Sequence, residues 1–116
     1  MQLSERRIGD VVVVDVSGKI TLGEGGDQVL KDKMRSLVQQ GHNKLLLNLG
    51  DVSYVDSAGL GEIVQSYATV NKNGGALKLL NVTRRIQDLL SITKLLTVFE
   101  TFDSEAEAVT SFSATV

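Results

Sequence analysis

The chain has 116 residues, 42% hydrophobic and 22% charged, with a formal net charge of −2; that is enough for one domain with a buried core and too apolar for disorder to be the default. The slight acidity, with the basic pairs Arg6-Arg7 and Arg84-Arg85 standing apart, argues against nucleic acid as a direct partner, because phosphate binding needs a clustered basic surface. Cysteine is absent, which excludes disulfides and thiol chemistry, and the opening Met-Gln-Leu-Ser-Glu-Arg-Arg has no apolar signal core, so the expectation is a cytoplasmic protein with no membrane insertion.

In chain order, Gln2 to Ile8 and Val11 to Val16 read as strands around Gly9-Asp10, a two-residue hairpin turn. Gly18 to Gly26 is a glycine-rich connection. From Asp27 to Gln40, residues Leu30, Met34, Leu37 and Val38 recur at helical spacing, and Gly41 follows where a left-handed helix cap belongs. The run Leu45-Leu46-Leu47-Asn48-Leu49 predicts a strand covered on both faces. A second helix is predicted from Ser57 to Lys72, with Leu60, Ile63, Val64 and Tyr67 inward, ended by Asn73-Gly74-Gly75. Ala76 to Asn81 is the next strand, and Thr83 caps a short helix carrying Ile86, Leu89 and Leu90. Thr97 to Phe102 is predicted as the last strand. A terminal helix starts at Asp103 or Ser104, where Ser104 and Glu107 have capping-box spacing, with Ala106, Val109 and Phe112 facing the sheet.

An opening hairpin followed by alternating helices and strands implies an α/β domain. Its mixed sheet has an antiparallel first pair, parallel strands after it, and helices mostly on one face. That architecture by itself assigns no function.

Several chemistries find no support. His42, the one histidine, lies just past a predicted helix end and reads as a surface or dipole-facing residue. Without cysteine a zinc site would need mostly carboxylates, and a Ser-His-Asp triad would depend on His42 without a nucleophile elbow. Gly18-Lys19 is followed by Ile20, which breaks the phosphate-loop pattern. Gly23-Glu24-Gly25-Gly26 has Gln28 where a dinucleotide loop needs its third glycine. No catalytic residue, metal site or cofactor is therefore assigned.

The remaining segment is Asp51-Val52-Ser53-Tyr54-Val55-Asp56-Ser57-Ala58-Gly59-Leu60-Gly61. Ser57 stands where a helix begins and is read as its N-cap. Gly59 and Gly61 in the first helical turns each cost about 1 kcal/mol relative to alanine, a cost tolerated where another backbone must come close. The residues alone leave two readings: a plain cap, or a contact surface around an exposed hydroxyl.

This segment resembles the phosphorylation loop of STAS-domain anti-sigma-factor antagonists, with Ser57 in the phosphoacceptor position. Lys44-Leu45-Leu46-Leu47-Asn48-Leu49 is similar to the family's central strand, and Lys72-Asn73-Gly74-Gly75-Ala76-Leu77-Lys78-Leu79 to its next helix end and strand. Leu90-Ser91-Ile92-Thr93-Lys94-Leu95 and Val98-Phe99 resemble its closing region. The resemblance implies a switch, not an enzyme, whose contact residues are Thr21, Asp56, Ser57, Ala58, Gly59, Leu60 and Gly61. The implied partners are an anti-sigma factor that is also a serine kinase, carrying the ATP itself, and a serine phosphatase. One departure stands out: Thr21, in the turn Gly18-Lys19-Ile20-Thr21, occupies a place where family members often carry an aspartate that meets the kinase. Two other readings are a STAS scaffold or transporter-associated module without a phosphate cycle, and a small hydrolase or nucleotide-binding enzyme on the same frame.

Overall fold

The structure, a computed structural model, describes residues 1–113. The first two strands are β1 (Gln2–Ile8) and β2 (Val11–Ile20), joined by the Gly9-Asp10 turn that pairs Ile8 with Val11 in antiparallel register. After them come helix α1 (Gly26–Gln39), strand β3 (Lys44–Val55), helix α2 (Ser57–Lys72) and strand β4 (Ala76–Leu80). The chain continues through α3 (Arg84–Ile92), β5 (Thr101–Phe102) and α4 (Glu105–Ser113). The sheet order is β1-β2-β3-β4-β5, with every pair after the first parallel.

Alternation along the strands splits the core in two. On one face Val12, Val14, Leu45, Leu47, Leu77 and Leu79 meet Leu30, Met34 and Leu37 of α1, Ile63 and Val70 of α2, and Ile86 and Leu90 of α3. On the other, Val11, Val13, Leu46 and Leu80 meet Ala108 and Phe112 of α4. Three helices thus cover one face and α4 alone covers part of the other, in line with the expected one-sided packing. Val11 to Val14 are all buried because β2 is covered on both sides. Full burial of such a side chain contributes about 1.5–3 kcal/mol, so the apolar strands at the sheet centre carry most of the stability.

The structure corrects five of the predicted elements. β2 continues to Ile20 and β3 to Val55, because Ser17, Gly18, Lys19 and Ile20 pair with Asp51, Val52, Tyr54 and Val55 across two register shifts. The last strand is only Thr101–Phe102. Its expected start is used up by a turn in which Lys94 has φ 61° and the Val98 N–H donates to the Leu95 carbonyl. β4 stops at Leu80, since Asn81 has φ 56° and cannot extend the strand. On α4 Ala106 is exposed; Ala108 holds the inward position, with Val109 and Phe112 packed beside it. Three other predicted signals hold: Gly41 takes φ 88°, Thr83 caps α3 through the Ile86 N–H, and the Ser104 hydroxyl accepts from the Glu107 N–H.

Among the described residues no helix is long and apolar enough to cross a membrane. No group of three or more His, Asp or Glu side chains among them is placed to hold a metal ion.

Candidate functional site

Parallel strands β2 and β3 end side by side, Ile20 opposite Val55, and the chain leaves both at the same edge. Ligand and partner sites in α/β folds lie at such carboxyl ends of strands. Asp56 alone separates β3 from α2, with extended backbone at φ −94° and ψ −176°. Its backbone N–H points to the Ile20 carbonyl at 3.4 Å. One carboxylate oxygen accepts the Gly59 N–H at 2.8 Å and caps α2; the other accepts the Leu22 N–H at 3.0 Å. Asp56 is therefore a clamp that caps a helix and ties the β2–α1 turn beside it. These two N–H donors, Gly59 first and Leu22 second, hold its carboxyl below the usual aspartate range.

This corrects the reading of Ser57 as the N-cap. Ser57 is the first residue of α2, one place past the cap. Its side chain is exposed, and its hydroxyl has no hydrogen-bond partner among the described residues. Because Asp56 satisfies the helix end, the serine oxygen is left unengaged at the surface.

The other residues singled out by the sequence divide by burial. Gly61 is exposed, and Asp56 and Ala58 are half-buried. Thr21, 8% exposed, Leu60, 6% exposed, and the buried Gly59 support the loop from below. A Cβ at Gly59 would lie 2.0 Å from the Ile20 carbonyl oxygen, so the close approach expected for this glycine is to the chain's own β2. A Cβ at Gly61 would meet nothing within 4 Å, so internal packing does not account for that glycine. The turn that Asp56 holds presents Leu22, 67% exposed, beside the serine.

Sequence reasoning did not bring α3 to this place. An open groove of about 700 Å³ is bordered by Tyr54, Asp56 and Ser57 from the β3–α2 junction and by Arg85, Asp88 and Ile92 from α3. The Arg85 guanidinium sits over the Tyr54 ring, 4.7 Å from its centre, and Ile92 is 78% exposed at the rim. The Arg84-Arg85 pair was visible in the sequence, but its place next to Ser57 shows only in the folded chain, where Arg85 lies over Tyr54.

Comparison with known proteins identifies the family and the fold. The family model described as "STAS domain" matches residues 2–108. The anti-sigma-B factor antagonist of Bacillus subtilis is 40% identical over 84 residues, covering 72% of this chain and 74% of that protein. A candidate anti-sigma factor antagonist of Thermotoga maritima, solved by crystallography, superposes with a TM-score of 0.87 at 25% identity, covering 96% of this chain and 94% of its own. The Bacillus cell fate determinant SpoIIAA in its phosphorylated form shares the fold, with a TM-score of 0.73 at 18% identity over 93% of this chain and 96% of that one.

Proposed function

This chain belongs to the STAS-domain family, and on that premise we propose that it is an anti-sigma-factor antagonist switched at Ser57. Unmodified, it holds an anti-sigma factor that is also an ATP-dependent serine kinase. The kinase passes the γ-phosphoryl group of its ATP to the Ser57 oxygen, the complex separates, and a serine phosphatase resets the chain. The observation that carries this reading is the exposed Ser57 hydroxyl, without a partner among the described residues while Asp56 does the capping. The 40% identity to an anti-sigma-B factor antagonist supports the choice of partner.

The physical chemistry places the effect at the interface. A phosphate adds about −1.5 to −2 charges. In the first turn of a helix an anion is favoured by about 0.3–1 kcal/mol, so the fold should survive the modification. The same charge pressed into a partner surface that offers it no cation costs about 3 kcal/mol, or about two powers of ten in dissociation constant. The contact surface then comprises Ser57, Ala58 and Gly61 with Leu22 beside them, braced from below by Thr21, Asp56, Gly59 and Leu60.

The test is titration calorimetry with the cognate kinase, together with mass spectrometry after incubation with kinase and ATP. Ser57→Ala should bind and stay bound, Ser57→Asp should fold normally and bind at least about a hundredfold more weakly, and the wild type should gain one phosphate on Ser57. Equal affinity for the two variants, or phosphate on another residue, would refute the proposal.

A further inference from the structure

Among the described residues, the groove beside Ser57 is lined by two carboxylates, Asp56 and Asp88, and by one cation, Arg85. Among the described residues Arg85 has no ion-pair partner, whereas Arg6 is engaged by both Asp15 and Glu105. Both Asp56 oxygens are taken by backbone N–H groups. Arg85 instead rests on the Tyr54 ring, three residues ahead of the serine on the same groove. A cation lying on an exposed aromatic face is weakly held, whereas an arginine–phosphate contact is charge-assisted and bidentate.

We propose that Arg85 is the intramolecular partner of the phosphate on Ser57: on modification its guanidinium leaves Tyr54 and takes the phosphate oxygens. This rests on Ser57 being the phosphoacceptor. Before modification the lining carries two negative charges against one positive. The phosphate adds about −1.5 to −2 more, so the pull on the Arg85 guanidinium rises steeply. The exchange uncovers the Tyr54 ring, already 39% exposed, and fixes the phosphate against α3. The modified surface then differs from the unmodified one in shape as well as in charge.

The test uses protein in which phosphoserine is installed at position 57 by genetic-code expansion, so that no kinase is involved. The phosphorus resonance is titrated with pH in the wild type, Arg85→Gln and Arg84→Gln. In the wild type the second phosphate pKa, about 6 for a free phosphoserine, should lie below that of Arg85→Gln by about half a pH unit. Arg84→Gln, which removes an equal charge from outside the groove, should titrate like the wild type. In the wild type and in Arg84→Gln, the Arg85 δ-proton resonances, shielded by the Tyr54 ring before modification, should move downfield after it. Coincident titrations of wild type and Arg85→Gln, an equal change in Arg84→Gln, or unmoved δ protons would overturn the proposal. A kinase that fails to modify Ser57 would sink the parent reading and leave this measurement standing.

Discussion

Adding one methyl group at Gly59 and one at Gly61 should move stability in opposite directions. At Gly59 the new carbon would lie 2.0 Å from the Ile20 oxygen, 2.9 Å from the Ile20 carbonyl carbon and 3.0 Å from Ile20 Cγ2. Carbon does not approach a carbonyl oxygen that closely, so α2 and the end of β2 must part by about 1 Å. The same Ile20 oxygen faces the Asp56 N–H, so parting them loosens the clamp as well. Overpacking of this kind costs up to about 3 kcal/mol, against about 1 kcal/mol gained from alanine's helix propensity. Gly59→Ala should therefore lose about 2 kcal/mol, or about 8 °C in Tm for a domain of this size. At Gly61 there is no neighbour to offend, so Gly61→Ala should gain about 1 kcal/mol and about 4 °C. Urea and thermal denaturation followed by circular dichroism measure both. A Gly59→Ala variant as stable as the wild type, or a destabilised Gly61→Ala, would refute the reasoning. If Gly61 meets the kinase backbone, the stabilised Gly61→Ala should also bind the kinase more weakly in calorimetry.

Two further outcomes follow from the packing and charge of the rest of the domain. Lys78 is 6% exposed. Its Nζ lies 2.9 Å from Ser111 Oγ, 3.1 Å from Glu100 Oε2 and 4.6 Å from the centre of the Phe112 ring, so its stem fills space under α4. Lys78→Met keeps that volume and removes a desolvated charge, and should stay within about 1 kcal/mol of the wild type. Lys78→Ala should lose about 2–3 kcal/mol by opening a cavity, and hydrogen exchange in α4 should rise with it. If the methionine variant is the less stable of the two, the charge and not the stem holds α4. Asp15 bonds to Arg6 first and Asn48 second, and its carboxyl lies below the ordinary aspartate range. A depressed folded pKa gives stability that is present above the unfolded pKa and lost as pH falls through the folded one. Asp15→Asn should therefore be less stable than the wild type at pH 7, and the gap should close in urea titrations taken below the aspartate range. A gap that persists in acid would assign the loss to packing instead.

What the sequence determined by itself was whatever depends on neighbours in the chain. Glycine and aspartate between two strand-like runs made the hairpin, and apolar residues at helical spacing made α1 and α2. The leucine-rich run from Leu45 to Leu49 made a strand buried on both faces. The family resemblance pointed to Ser57 from the same local run, Asp56 to Gly61. Tertiary structure decided what depends on distant partners. Gly50, Asp51 and Ser53 carry no strand signal, yet β3 runs through them because the end of β2 offers its backbone hydrogen bonds. Val98 and Phe99 look like strand residues, yet the chain turns there because it must pass from α3 to β5. Asp56 and Ser57 are both good capping residues, and nothing local chooses between them. The choice falls to Asp56 because its second oxygen also meets the Leu22 N–H, 34 residues earlier in the chain. That long-range bond, absent from any local pattern, is what leaves the serine hydroxyl free.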